Sequence, residues 1–167
     1  MIYNVVKKMD NFINFQTAQA HCDIPCKIYD PLLAQIAALS CVRMMDLIKD
    51  IEAKAKLKVA DYAEISRLVR EKELASSEVK DAIRIIWGDY FKTPQFEQAD
   101  DVHGLTHSIM RQASKCKQSI NRDDGLELVL LVNEFADIFW MTKGVPTYVA
   151  SCPYPPSLSL VYPNLKS

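Results

Sequence analysis

Apolar residues recur at intervals of three and four along four stretches of the chain, the spacing of one face of an α-helix. The stretches cover residues 32–53, 59–87, 100–117 and 126–143, with short polar segments between them. No segment with the two-residue period of a strand competes with them. The pattern predicts an all-α fold, an antiparallel up-and-down four-helix bundle.

Individual residues predict where these helices begin and end. Asp30 followed by Pro31 predicts the first helix start, with aspartate as N-cap and proline at the first helical position. We predict that the second helix is one long helix, with Ser76 as the position where it would bend. A break follows over residues 91–96, which contain Pro94. Residues 121–125 predict a turn and cap, and Gly144 predicts the last helix stop.

The two ends of the chain differ from the helical middle. Residues 1–20 end in Ala-Gln-Ala but lack the continuous apolar core of a secretory signal. We expect a leader removed by a dedicated protease; the alternative is an N-terminal segment that is never removed. Residues 145–167 are rich in proline and predict an irregular tail after the domain formed by residues 21–144.

The composition excludes several classes of protein. The 167 residues carry a net charge of −1 and are 49% hydrophobic, which suits one globular domain. The balanced charge gives no reason to expect nucleic acid or an anionic membrane as partner. No run of eighteen apolar residues is present, so we expect no membrane span and a cytoplasmic protein.

Residues 21–31, which read HCDIPCKIYDP, concentrate the candidate chemistry of the chain. Cys22 and Cys26 are soft thiolate donors, and His21 adds an imidazole. If His21 is a free N-terminus, its amine, the Cys22 amide nitrogen and both sulfurs form a flat chelate with the imidazole on its axis. Tetragonal sites of this kind select Ni(II) or Cu(II). A disulfide between the two cysteines is an equally open reading of the residues alone.

A second pair of candidate ligands is His103 and His107, which are spaced to share one face of the third helix. No HExxH glutamate accompanies them, so we predict a surface or packing role. Cys41 lies within an apolar helical pattern, which predicts a small core residue.

The segment HCDIPCKIYDP resembles the N-terminal nickel hook of the nickel superoxide dismutases. The blocks WGDYFK at residues 87–92 and IFWMTK at 138–143 extend the resemblance. It implies a superoxide dismutase that converts superoxide to oxygen and hydrogen peroxide, with a mononuclear nickel ion bound by His21, Cys22 and Cys26. It also implies a homo-hexamer in which neighbouring subunits help to cover each hook.

The resemblance further implies that Asp23, Tyr29 and Tyr90 shape the open axial face of the metal and access to it. Packing with the hydroxyl at the surface is the plainer reading of both tyrosines. Asp30 is expected to cap the helix rather than to act in catalysis.

The sequence departs from the family pattern at three positions. Lys27 stands where the family usually has glycine, which puts the backbone conformation there in question. Gapless counting places Ala37 and Ala75 where the family has a glutamate and an arginine that orient the imidazole. Loss of such a pair changes how the ligand is held, and copper is then the first substitute metal.

Two other functions remain open at this point. One is a nickel- or copper-binding protein that uses the same hook without turnover. The other is a helical oligomerisation module with redox-sensitive cysteines, which would keep residues 1–20 and purify without metal.

Overall fold

The computed structural model of the chain describes residues 27–165, which are mostly helical. In chain order the elements are α1 (Leu32–Glu52), α2 (Val59–Ile85), a π-helical turn (Ile86–Tyr90), α3 (Thr93–Phe96), α4 (Val102–Gln118), α5 (Arg122–Thr142), β1 (Thr147–Ser151) and β2 (Ser159–Pro163). The four long helices lie where the hydrophobic period predicts them. None of the helices in the described range is long and apolar enough to cross a membrane.

Helix α1 begins directly after the candidate metal segment. The Leu32 backbone N–H donates to Asp30 Oδ1 at 2.8 Å, and the Gln35 N–H donates to Pro31 O at 3.1 Å. The predicted capping role of Asp30 is therefore confirmed, since its carboxylate satisfies one of the free N–H groups at the helix start. The helix begins three residues after Tyr29, so no flexible linker intervenes between them.

Helix α2 is one continuous helix through Ser76, as predicted. Ser76 is buried, and its hydroxyl donates to Lys72 O within the helix instead of capping a new one. The predicted break at 91–96 contains a single helical turn, α3. Pro94 lies at its start, where a backbone N–H would have no partner within the helix, so the missing N–H of proline costs no hydrogen bond.

Helix α5 begins four residues earlier than the sequence predicts. The Asn121 side chain accepts from the Asp123 N–H at 3.2 Å, so the cap precedes Arg122, and residues 122–125 are helical. The prediction of a turn through Gly125 is wrong because this glycine is buried against α1. A Cβ there would lie 2.8 Å from Val42 Cγ2, so the close approach of the two helices requires glycine.

The prediction of an irregular tail is also wrong. Strands β1 and β2 pair antiparallel, with Val149 opposite Val161, and the hairpin packs against α5. Gln35 Nε2 donates to Val161 O at 2.8 Å and to Asn133 Oδ1 at 3.0 Å, which fixes the hairpin to α1 and α5. Proline indicated irregular structure, whereas the strand pairing depends on residues far away in sequence.

One hydrophobic core joins these elements. Helix α1 packs on α2 and α5, and α4 packs on α2 and α5. Leu160 of β2 and Cys152, which follows β1, are buried in the same core. The C-terminal segment is therefore a packed part of the domain.

Candidate metal centre

The predicted metal ligands His21, Cys22 and Cys26, together with Asp23, lie outside the described residues. The structure describes the segment that follows them, from Lys27 to the start of α1. Within residues 27–165, no cluster of three or more histidine, cysteine or acidic side chains is placed to hold a metal ion. The candidate centre is therefore described through the residues next to this segment, namely Lys27, Tyr29 and the side chains that contact Tyr29, which we call the base of the site.

Lys27 has a φ angle of 57°, in the left-handed region that favours glycine. This is the position at which the family usually has glycine. The departure from the family pattern therefore does not remove the special backbone conformation. A lysine in this conformation costs about 1–2 kcal/mol relative to an ordinary helical one, a cost that the surrounding fold must offset.

Tyr29 and Tyr90 lie together at this base. Their ring centroids are 5.9 Å apart, with the rings tilted at 51°. Both side chains are half-buried against the hydrophobic core, so each keeps one part accessible. The structure thus brings together two of the three residues that the resemblance assigns to access and substrate orientation.

Tyr90 is held by groups from both blocks that carry the family resemblance. Its ring lies 4.8 Å from that of Phe139 and 5.2 Å from that of Phe91. Its hydroxyl lies 2.8 Å from Thr142 Oγ1, and Thr142 Oγ1 also donates to Phe139 O at 2.8 Å. A hydroxyl has only one hydrogen, so in this pair Tyr90 is the donor and Thr142 the acceptor.

Lys143 supplies a positive charge beside Tyr90. Its Nζ lies 4.5 Å from the centroid of the Tyr90 ring and 5.6 Å from that of Phe139. This is a cation–π contact at an exposed site, worth about 0.5–1 kcal/mol. Sequence reasoning did not single out Lys143, because its contact with Tyr90 joins α5 to a turn fifty-three residues earlier.

Ala37 and Ala75, the positions expected to orient the imidazole, are both buried and apolar, with exposures of 3% and 5%. The buried polar residues near them in sequence have other partners, and Ser76, next to Ala75, donates to Lys72 O within its own helix. Gln35 bonds to Asn133 and Val161, and Lys72 donates to the backbone carbonyls of Cys116 and Lys117 at the end of α4. Among the described residues, neither Gln35 nor Lys72 replaces the missing pair.

His103 has a packing role at the surface, as predicted. Its Nδ1 accepts a hydrogen bond from Trp87 Nε1 at 3.0 Å, and its ring stacks on Phe96 with centroids 4.4 Å apart. Its other nitrogen therefore carries the hydrogen in the neutral form. His107 is exposed on the same helix.

A buried thiol pair lies in the core, away from the predicted ligands. The thiols of Cys41 and Cys116 interact in the core; Cys41 Sγ also lies 3.3 Å from Ser76 Oγ, and Cys116 Sγ donates to Asp124 O at 3.2 Å. The hydrogen bond from Cys116 lowers the pKa of Cys41 to about 7, against the opposing effect of burial. The same contact and burial raise the pKa of Cys116 strongly. The predicted core position of Cys41 is confirmed; its partner was not predicted.

Comparison with known proteins defines the class of this protein. The profile of the nickel-containing superoxide dismutases matches residues 16–143, which include the whole candidate hook and all four long helices. The chain therefore belongs to the nickel-containing superoxide dismutase family.

The individual relatives agree with this assignment. A superoxide dismutase (Ni) from Streptomyces coelicolor is 31% identical over 127 residues, covering 76% of this chain and 91% of the relative. One from Streptomyces seoulensis is 32% identical over 124 residues, covering 74% and 88%. The fold is similar to a native nickel superoxide dismutase structure with a TM-score of 0.64 at 28% identity, covering 74% of this chain and 99% of the other. The C-terminal hairpin lies beyond the matched residues.

Proposed function

We propose that the protein disproportionates superoxide at a nickel ion held in a hook formed by residues 21–26. The observation that carries this proposal is the family match over residues 16–143, within which the chain retains HCDIPC. Two superoxide anions and two protons give one oxygen and one hydrogen peroxide, so charge and electrons balance without a further reductant.

The proposed ligands are the amine and imidazole of His21, the amide nitrogen and thiolate of Cys22, and the thiolate of Cys26. Thiolate and deprotonated amide donors release electron density and suit a tetragonal Ni(II) site. When bound, the nickel ion would accept an electron from one superoxide and return it to the next. The left-handed Lys27 is compatible with this arrangement, because it has the backbone conformation that favours glycine, the residue that the resemblance leads us to expect there.

The roles of the tyrosines follow from their contacts. The Tyr90 hydroxyl donates to Thr142, so we assign Tyr90 a positioning role and expect its ring to orient Tyr29. Tyr29 is the candidate hydrogen-bond donor to substrate or water at the open face, and Asp23 helps to shape that face. Lys143 adds a positive charge that attracts the superoxide anion to this base.

The buried alanines at 37 and 75 affect how the imidazole is held. With no ion pair from these two positions, His21 must be oriented by other groups, which alters ligand geometry and the potential of the metal. Copper remains the alternative metal for such a hook. The family assignment favours nickel, and metal analysis of the native protein distinguishes the two.

We also propose the finer features of the family for this chain. The four long helices are arranged as an antiparallel bundle, which the contacts of α1 and α4 with both α2 and α5 support. Residues 1–20 are a leader whose removal by a protease frees the His21 amine. The enzyme works as a cytoplasmic homo-hexamer, for which exposed apolar residues such as Leu33 and Leu130 offer contact surface.

The test compares three measurements on one preparation. Protein purified from its natural host is examined for its N-terminal residue, its metal content and its superoxide-dismutating activity. We expect His21 at the N-terminus, about one nickel per chain and full activity. A metal-loaded but inactive protein indicates binding without turnover, and a metal-free protein that keeps residues 1–20 indicates a structural module.

Variants localise the chemistry. A chain made to begin at His21 is compared with the full chain, and Cys22→Ser and Cys26→Ser are compared with Cys152→Ser. Cys152 is buried beside the hairpin and serves as the matched control. Loss of nickel in the two hook variants but not in the control supports the proposal; retained activity in either hook variant overturns it.

A further inference from the structure

The two outer edges of the C-terminal hairpin differ in how many hydrogen bonds they make to the rest of the protein. The Asn164 N–H donates to Pro146 O, and the Cys152 N–H donates to Leu158 O. These bonds identify the pairs that exchange hydrogen bonds across the hairpin, which include Tyr148 with Tyr162 in the observed register. The backbone groups of the alternate residues therefore point away from the partner strand.

On β2 three of these outward groups are hydrogen bonded. The Val161 N–H donates to Asn133 Oδ1 at 3.2 Å, Val161 O accepts from Gln35 Nε2, and Ser159 O accepts from Asn133 Nδ2 at 2.9 Å. Two side chains from α5 and α1 thus close this edge of the sheet. This is one way in which proteins cover a strand edge.

On β1 the outward residues are Thr147, Val149 and Ser151. Within the described residues, no hydrogen bond closes the outward backbone groups of Val149 and Ser151, and the Val149 side chain is 67% exposed. An open row of backbone donors and acceptors is a template for another strand. Charged side chains, one common protection of such an edge, are also missing, because residues 144–165 contain no aspartate, glutamate, lysine or arginine.

We propose that β1 pairs antiparallel with β1 of a second copy of this chain, so that two hairpins form one four-stranded sheet. A two-fold axis through Val149 places this residue opposite itself and Thr147 opposite Ser151 of the second copy. This register pairs all three outward residues and gives about six hydrogen bonds. Being uncharged, the strand meets its own copy without repulsion.

The side chains fit the same register. Tyr148 stacks on Tyr162 with ring centroids 5.7 Å apart, and in the proposed sheet it faces Ala150 of the second copy. A large side chain opposite a small one leaves room for the ring. Val149 would contact its own equivalent, which buries the most exposed large hydrophobic side chain of the strand. The hairpin lies outside residues 16–143, so this interface is independent of the nickel chemistry.

Disulfide trapping tests the register directly. In an antiparallel pair, residues that exchange hydrogen bonds have Cα atoms about 5.5 Å apart, within the range of a disulfide. With oxidised glutathione added, full-length Val149→Cys should form a covalent dimer. Tyr148→Cys, whose equivalents are offset along the strand, is the matched control and should remain at the level of the unmodified chain. Absence of a Val149→Cys dimer, or equal trapping of both variants, overturns the proposal and leaves the edge to another segment or partner.

Light scattering across a concentration series tests the interface without a crosslink. Val149→Pro removes an outward N–H and no bond of the hairpin itself, so the fold tolerates it. We expect the part of the assembly that forms through β1 to dissociate at a concentration at least tenfold higher than in the unmodified chain, whatever assembly other surfaces maintain. Val149→Ala keeps the N–H and should shift much less. Nickel content and activity should be unchanged in both variants. Identical dissociation curves for Val149→Pro and the unmodified chain would also overturn the proposal.

Discussion

The hydroxyl of Tyr90 and Thr142 Oγ1 lie 2.8 Å apart, which joins the π-helical turn to the last turn of α5. Because Thr142 donates its own hydrogen to Phe139 O, the hydrogen of Tyr90 is committed to Thr142. The contact therefore fixes the Tyr90 ring, and the Tyr29 ring rests against it.

The first prediction follows from this pair. Tyr90→Phe and Thr142→Val each remove one side of the hydrogen bond, and each should lower the free energy of unfolding by about 1 kcal/mol. We expect both to reduce kcat/KM by a similar, several-fold factor, since both loosen the same ring. The double variant should be little worse than either single one. Steady-state or pulse-radiolysis assays on nickel-loaded protein measure this. A far larger loss in Tyr90→Phe than in Thr142→Val would show that the Tyr90 hydroxyl meets substrate itself.

The charge of Lys143 yields the second prediction. Its Nζ lies over the Tyr90 ring, where we expect it to attract an incoming anion. Lys143→Gln should lower kcat/KM severalfold at low salt and flatten the dependence of kcat/KM on ionic strength.

Lys56→Gln is the matched control for this charge. Lys56 is exposed in the connection after α1, at the end of that helix opposite the hook, about 30 Å away. It changes the net charge equally but should leave the salt dependence nearly intact. Equal effects of the two substitutions would indicate a response to net charge and not to position.

The helices were predictable because their signal is local. The three-four period, the Asp30 cap and Gly144, which has a φ angle of 69°, each act within one or two turns of the chain. The hairpin was not predictable in the same way. Its position depends on Gln35 and Asn133, which lie 126 and 28 residues from Val161. The prolines near the strands suggested irregular structure, and the strand pairing depends on tertiary contacts that a local sequence pattern does not show.

The candidate site likewise has a part that local sequence predicts and a part that depends on tertiary contacts. Its proposed ligands, His21, Cys22 and Cys26, lie within six residues of each other, so the sequence alone suggested them. The base of the site is assembled from residues far apart in the chain, and the meeting of Tyr90 with Lys143 requires the packing of α5 against the π-helical turn. The left-handed backbone at Lys27 was also hidden, since lysine gives no signal for that conformation.

Lys27 provides the third prediction. At a φ angle of 57°, glycine is free of the steric cost that lysine bears, so Lys27→Gly should retain nickel and activity. Lys27→Val places a β-branched residue in the same conformation, where it is strained. We expect the valine variant to bind nickel at least tenfold more weakly, measured by competition with a chelator. Equal affinities in the two variants would contradict a requirement for the left-handed conformation.

The contact between α1 and α5 gives the fourth prediction. A Cβ on Gly125 would lie 2.8 Å from Val42 Cγ2 and 3.1 Å from Met45 Sδ. Gly125→Ala should therefore lower the free energy of unfolding by about 1–3 kcal/mol, measured by urea denaturation. Gly88→Ala is the matched control, because nothing lies within 4 Å of its added Cβ. That variant should be neutral or more stable by up to about 1 kcal/mol; a comparable loss there would remove the packing explanation.

The buried thiol pair gives the last prediction, which concerns pH. Cys116 hydrogen bonds to Cys41 and lowers the pKa of Cys41 from 9.0 to about 7 in the folded protein. Between these values the unfolded chain binds more protons than the folded one, so stability rises with pH. The gain is present in full near pH 9 and is lost as the pH falls through about 7. At about 1.4 kcal/mol per pKa unit, the pair contributes at most about 3 kcal/mol.

Above pH 9 the contribution reverses, because the raised pKa of Cys116 keeps a proton in the folded state that the unfolded chain releases. Denaturation midpoints of metal-free protein at pH 7, 8 and 9 should therefore rise in the unmodified chain. Cys116→Ala removes the hydrogen bond to Cys41 and should abolish this rise relative to the unmodified chain. Cys152→Ala, which removes a buried thiol outside the pair, should preserve it. A rise that survives in Cys116→Ala would assign the pH dependence to other groups.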